Sequence, residues 1–164
     1  MQRYLYLCRH AEARDSFLLQ PDFERNLTPD GVRQAHETGK WIREHYTTID
    51  AILASPAKRA GATARILASR LYYDEEQIIY DPEIYNPKEA QLLKSISQLP
   101  ESAQKVVVVS HNPALTQLAR SLVNRNLPYL EPGQVYAITA ILPQWQDIFI
   151  TEASLLDTHQ PQRI

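Results

Sequence analysis

The residue types able to do chemistry in this chain gather in three short segments. Cys8-Arg9-His10 stands near the start, Ser55-Pro56-Ala57-Lys58-Arg59 follows, and Ser110-His111-Asn112-Pro113 lies beyond the middle. Arg9, His10, Arg59 and His111, with no carboxylate inside the same segments, describe a site for a phosphate dianion. Arginine suits that task because its planar fork holds two phosphate oxygens and its charge does not titrate away. The histidines can divide the rest: a neutral imidazole nitrogen is a nucleophile toward phosphorus, and a protonated one stabilises the equatorial oxygens. Phosphoryl transfer depends on in-line positioning and electrostatic stabilisation, which this set can supply without metal or other cofactor.

Each segment follows a run of strand-forming residues, at 4–7, 51–54 and 106–109. Further β-rich runs fall at 77–80, 135–142 and 147–151, the last two reading as an antiparallel hairpin at one edge. Thr28-Pro29-Asp30 has the form of a helix start, with Val32, Ala35, Ile42 and Tyr46 recurring behind it at helical spacing. Ser55-Pro56 opens a second helix to about Leu71, a third covers 88–98, and Asn112-Pro113 opens a fourth. This alternation predicts an α/β fold of three layers: a mostly parallel sheet, helices on both faces, and an antiparallel strand at one edge. The carboxyl ends of parallel strands lie along one edge, where open α/β proteins place ligands. The two histidines can therefore meet although about a hundred residues separate them.

The chain has 164 residues, 44% of them hydrophobic and 22% charged, which predicts one globular domain over 1–164. Its core is expected within 3–152, with 15–26 as a surface loop and 153–164 as a weakly held tail. Basic and acidic side chains nearly balance, 17 against 19, so the basic excess of a nucleic-acid binder is missing. Four scattered glycines form no phosphate-binding Gly-rich loop, and no histidine pair stands at metal-ligand spacing beside a carboxylate. The single cysteine excludes an internal disulfide, and no run approaches the ~20 apolar residues of a membrane helix. A cytoplasmic monomer is the expectation.

Arg9-His10 after the first strand, Ser55-Pro56-x-x-Arg59-Ala60-x-x-Thr63-Ala64, and Val-Val-Val-Ser-His111-Asn-Pro together resemble the histidine phosphatase superfamily, also called phosphoglycerate mutase-like. Leu27-Thr28-x-x-Gly31-x-x-Gln34-Ala35 is similar to that family's first helix start, and Pro132-Gly133 is a weaker echo. The likeness spans about residues 3–123, and the compact spacing looks like the SixA-type phosphohistidine phosphatases. It implies a phosphoryl intermediate on His10, with Arg9, Arg59 and His111 holding the phosphate, or a sulfate in its place. It implies as substrate a phosphohistidine protein or a small phosphate ester. The family glycine after the histidine is here Ala11, which fits only at negative φ with room for a methyl group. Glu83 is the nearest candidate for the acid many relatives use, with Glu12 and Glu89 behind it.

Cys8 and Arg14 also stand at the Cys-x5-Arg spacing of cysteine-dependent phosphatases, with Asp81-Pro82 as an acid loop. That reading leaves the Arg59 and His111 motifs unexplained and finds no glycine between Arg9 and Ala13. A phosphate-binding module without turnover is the other alternative. His36, His45 and His159 read as solvated positions without partners, and Arg3, Arg14, Arg25 and Lys58 as surface charges, with Arg14 or Arg25 able to reach substrate from the loop. Trp41 and Trp145 read as packing residues.

Overall fold

The computed structural model describes residues 1–16 and 19–162; Phe17 and Leu18 of the expected loop, and Arg163 and Ile164 of the expected tail, lie outside the described residues. Six strands form one sheet in the order β3-β2-β4-β1-β5-β6. They are β1 Gln2–Arg9, β2 Ala51–Ala54, β3 Ile79–Tyr80, β4 Lys105–Ser110, β5 Val135–Ile141 and β6 Ser154–His159. β1, β2, β3 and β4 run parallel; β5 is antiparallel to β1, and β6 to β5.

The central strands are apolar on both faces because helices cover both. Leu5, Leu7, Val106 and Val108 point into a core shared with Leu92, Ile96, Leu115 and Leu118, from α3 Glu89–Ser97 and α4 Ala114–Val123. Tyr6, Cys8, Val107 and Val109 point the other way, toward Ile42, Ala60, Ala64 and Leu67 of α1 Pro29–Tyr46 and α2 Lys58–Arg70. α1 starts as expected: Thr28 accepts from the Gly31 amide at 2.9 Å, Pro29 takes the first turn, and Asp30 complements the helix dipole. Val32 is exposed; small residues at Gly31, Ala35 and Gly39 make the buried side instead. α2 and α4 begin just past their prolines, with Ala57 and Pro113 as N-caps.

The C-terminal third corrects the sequence reading. Residues 147–151 are not a strand: Trp145–Phe149 is a 3-10 turn, with the Gln144 amide donating to the Asp147 carboxylate and Trp145 and Ile148 buried. The hairpin partner of β5 is β6, so half of the expected loose tail, Ser154–His159, is a paired edge strand. Arg3 is 2% exposed rather than a surface charge. Among the described residues no helix is long and apolar enough to cross a membrane.

Candidate active site

β1, β4 and β2 are neighbours, with Arg9 opposite Ser110 and Ala54 opposite Val109. The residues following them therefore arrive side by side, and the rings of His10 and His111 stand 5.1 Å apart between centroids. With Arg9, Asp22, Arg25, Arg59, Tyr85, Asn86 and Asn112 they line a cavity of about 320 Å³.

The backbone after β1 is clamped from two sides. Gly133 adopts φ 76°, and its amide faces the carbonyls of Arg9 and His10 at 3.1 and 3.2 Å. From the other side, a Cβ at Gly31 would sit 2.1 Å from the Glu12 carbonyl, so only glycine lets α1 start against this segment. Gln34 accepts from the Glu12 amide, and Thr28 donates to the Glu12 carboxylate. The first-helix and Pro-Gly signatures thus both hold the chain around His10. Ala11 avoids the positive-φ region and is fully buried, with its amide donating to Thr63 at 3.0 Å, so alanine fits where relatives have glycine.

His10 has a defined tautomer. Nδ1 is 2.8 Å from the Ala11 carbonyl oxygen, which can only accept, so Nδ1 carries the proton. Nε2 then presents its lone pair to the cavity, 3.3 Å from the Arg59 Nε–H. Burial pushes the His10 pKa down to about 4; Arg59, Arg9 and Arg25 push the same way, and the bond to Ala11 opposes them. His111 is pushed down to about 3, by burial first and then by His10 and Arg59. Its Nε2 meets Ser55 Oγ at 2.8 Å, and its Nδ1 faces Arg59 Nη2 at 3.5 Å. Both imidazoles are neutral near pH 7 in this state.

Arg59 is nearly buried and donates to the Asp22 carbonyl at 2.8 Å and to the Asp22 carboxylate at 3.0 Å. Arg9 donates from Nη1 to the Leu130 carbonyl, while its buried Nε has no partner among the described residues. Burial, with Arg25 and Arg59 nearby, lowers the Arg9 pKa. Arg9 also lines the cavity, where its guanidinium can meet an entering anion.

Sequence reasoning missed Asp22 and Tyr85. The Tyr85 hydroxyl donates to Asp22 at 2.7 Å, Arg25 donates to it at 3.1 Å, and with Arg59 they hold the Asp22 pKa down at about 2. The Asp22-x-x-Arg25 spacing was the available signal. Glu83 does not line the cavity: it is exposed, 3.9 Å from Lys94, on the turn that also carries Tyr85. Glu12 is engaged with Thr28. Arg25 reaches the cavity, whereas Arg14 lines a separate depression with Glu12, Ala13, Asp15 and Thr28. Cys8 is fully buried, and burial pushes its thiol up to about 12, which removes the thiolate a cysteine mechanism needs. His45 and His159 are not free of partners; both stack on Trp41, and His36 accepts from Arg70. Among the described residues no group of three or more His, Cys, Asp or Glu could hold a metal ion.

A family model described as histidine phosphatase superfamily (branch 1) matches residues 5–86. A solved structure from Nakamurella multipartitia, of a proposed phosphohistidine phosphatase SixA, superposes with TM-score 0.87 at 27% identity, covering 98% of this chain and 97% of that one. The tungstate complex of the protein histidine phosphatase SixA gives TM-score 0.80 at 20% identity, covering 98% and 97%. A phosphohistidine phosphatase SixA homolog of Haemophilus influenzae is 26% identical over 146 residues, 76% of this chain and 79% of its own.

Proposed function

The chain belongs to the histidine phosphatase superfamily and is a phosphatase, and we propose that it hydrolyses phosphohistidine on proteins through a phosphoryl intermediate on His10 Nε2. The observation that carries this reading is the Nδ1–H bond of His10 to the Ala11 carbonyl, which leaves Nε2 unprotonated, accepting from the Arg59 Nε–H in a cavity lined by three guanidiniums.

In the first step the Nε2 lone pair forms a bond to phosphorus while the phosphorus–nitrogen pair of the substrate departs with its imidazole. A substrate ring protonated on its other nitrogen leaves neutral and asks no proton of the protein. Arg9, Arg59 and Arg25 stabilise the equatorial oxygens, and the dianion favours protonation of His111, which can then donate to it. In the second step water adds to phosphorus and both its hydrogens leave with the phosphate. His10 departs neutral because Nδ1 already carries its proton. Alkyl esters are worse substrates on this account. The lining carboxyl group among the described residues is Asp22, held ionised, so an alkoxide finds no carboxylic acid to protonate it.

Equal concentrations of a phosphohistidine protein, a phosphotyrosine peptide and small phosphate esters, with His10→Ala as blank, test this. Phosphohistidine should be consumed first by at least tenfold. Preference for a small ester would overturn the substrate class, and phosphate binding without turnover would favour a non-catalytic module.

A further inference from the structure

We propose that Asp22 is a charge filter, admitting phosphoryl groups on neutral or cationic leaving groups and rejecting those that carry a second anion. This rests on the phosphatase reading above and narrows its substrate class.

The cavity lining holds three guanidiniums, Arg9, Arg25 and Arg59, and one carboxylate, Asp22. With both imidazoles neutral the excess is two positive charges, and it becomes three when His111 is protonated beside the bound dianion. Glu131 also acts on Arg9 but is not among the lining side chains. A carboxylate beside the phosphate would bring a further anion next to the ionised Asp22, whereas a neutral or cationic leaving group would not.

Asp22 is placed for this. Its Oδ2 takes Arg59 Nη2 at 3.0 Å and the Tyr85 hydroxyl at 2.7 Å, and its Oδ1 takes Arg25 at 3.1 Å. These three contacts fix the carboxylate beside the phosphate donors, while its side chain remains 50% exposed toward solvent. A protonated phosphoimidazole ring is the opposite case. Its positive charge is attracted by Asp22, and that protonated form is the one whose phosphorus–nitrogen bond breaks to give neutral imidazole. Asp22 touches no reacting atom in this scheme; it acts through the field at the mouth of the cavity.

The test measures inhibition of phosphoimidazole hydrolysis by glycerol 3-phosphate and by 3-phosphoglycerate, which differ in a carboxylate. The native protein should bind glycerol 3-phosphate more tightly. Asp22→Asn should shrink the ratio of inhibition constants by about tenfold, Asp22→Glu should keep it, and added salt should compress it. A structural role through Arg59 would weaken both inhibitors alike in Asp22→Asn, and that unchanged ratio would overturn the filter while leaving the phosphohistidine reading standing. Hydrolysis of esters with no hydrolysis of phosphoimidazole by the native protein would overturn both.

Discussion

Arg3 and Arg9 stand near opposite ends of the same strand, and both guanidiniums are drawn in from solvent. Arg3 donates to the carbonyls of Leu142, Glu101, Ala103 and Pro143 and to the Glu101 carboxylate, and it lies 4.9 Å over the Trp145 ring. Those five bonds use a guanidinium's full set of donors. Arg9 donates to one carbonyl and keeps a buried Nε unpaired beside two imidazoles. One end of the strand is finished by the protein's own oxygens, and the other waits for oxygens from outside. Residue type and burial do not distinguish a fastening arginine from a binding one; the accounting of its donors does.

The largest effect should come from exchanging the two roles. Arg9→Ala should lower kcat/KM on the order of a thousandfold, by analogy with losing a transition-state donor, and leave the melting temperature nearly unchanged. Arg3→Ala should do the reverse. It leaves several inward-facing carbonyls unpaired and should cost about 3–5 kcal/mol of stability, with kcat/KM of the folded fraction retained. Thermal melts and kinetics on both variants check this, and equal loss of stability at the two ends would break the comparison.

A medium effect is read by pH at the Arg9 end. The lowered folded-state values of His10, about 4, and His111, about 3, lie below the ordinary histidine value near 6.5. Between those limits the unfolded chain binds more protons than the folded one, so this contribution is complete above pH ~6.5 and is lost as pH falls toward 4. Denaturant titrations of the ligand-free protein should show that slope, and His111→Asn should flatten it. The smallest effect is at Cys8, whose side chain sits on the strand face opposite Leu7, in the α1/α2 core. Cys8→Ser should keep kcat/KM within about twofold, and a loss comparable to Arg9→Ala would revive a thiolate mechanism.

The convergence of Arg9, His10, Arg59 and His111 was legible because each follows a β-rich run, and a parallel sheet leaves little freedom in where such runs end. The roles of Gly31 and Gly133 were marked by motif and have a steric cause. β6 was hidden because an edge strand covered on one side needs no apolar run: Ser154–His159 has only Leu155 and Leu156 as apolar residues and pairs through its backbone. Residues 147–151 misled because Asp147 caps a turn whose buried residues repeat at three, not two. Arg3 was out of reach because it gains its meaning from carbonyls distant in sequence, and Asp22 was only half legible: Arg25 is three residues away, but Arg59 and Tyr85 are distant.

The most direct test mixes the protein with excess phosphoimidazole, quenches in alkali, where a phosphorus–nitrogen bond survives, and locates the added phosphoryl group by peptide mass spectrometry. Phosphate on His10, absent in His10→Ala, is the predicted result. Phosphate on Cys8, or unimpaired turnover by His10→Ala, would contradict it.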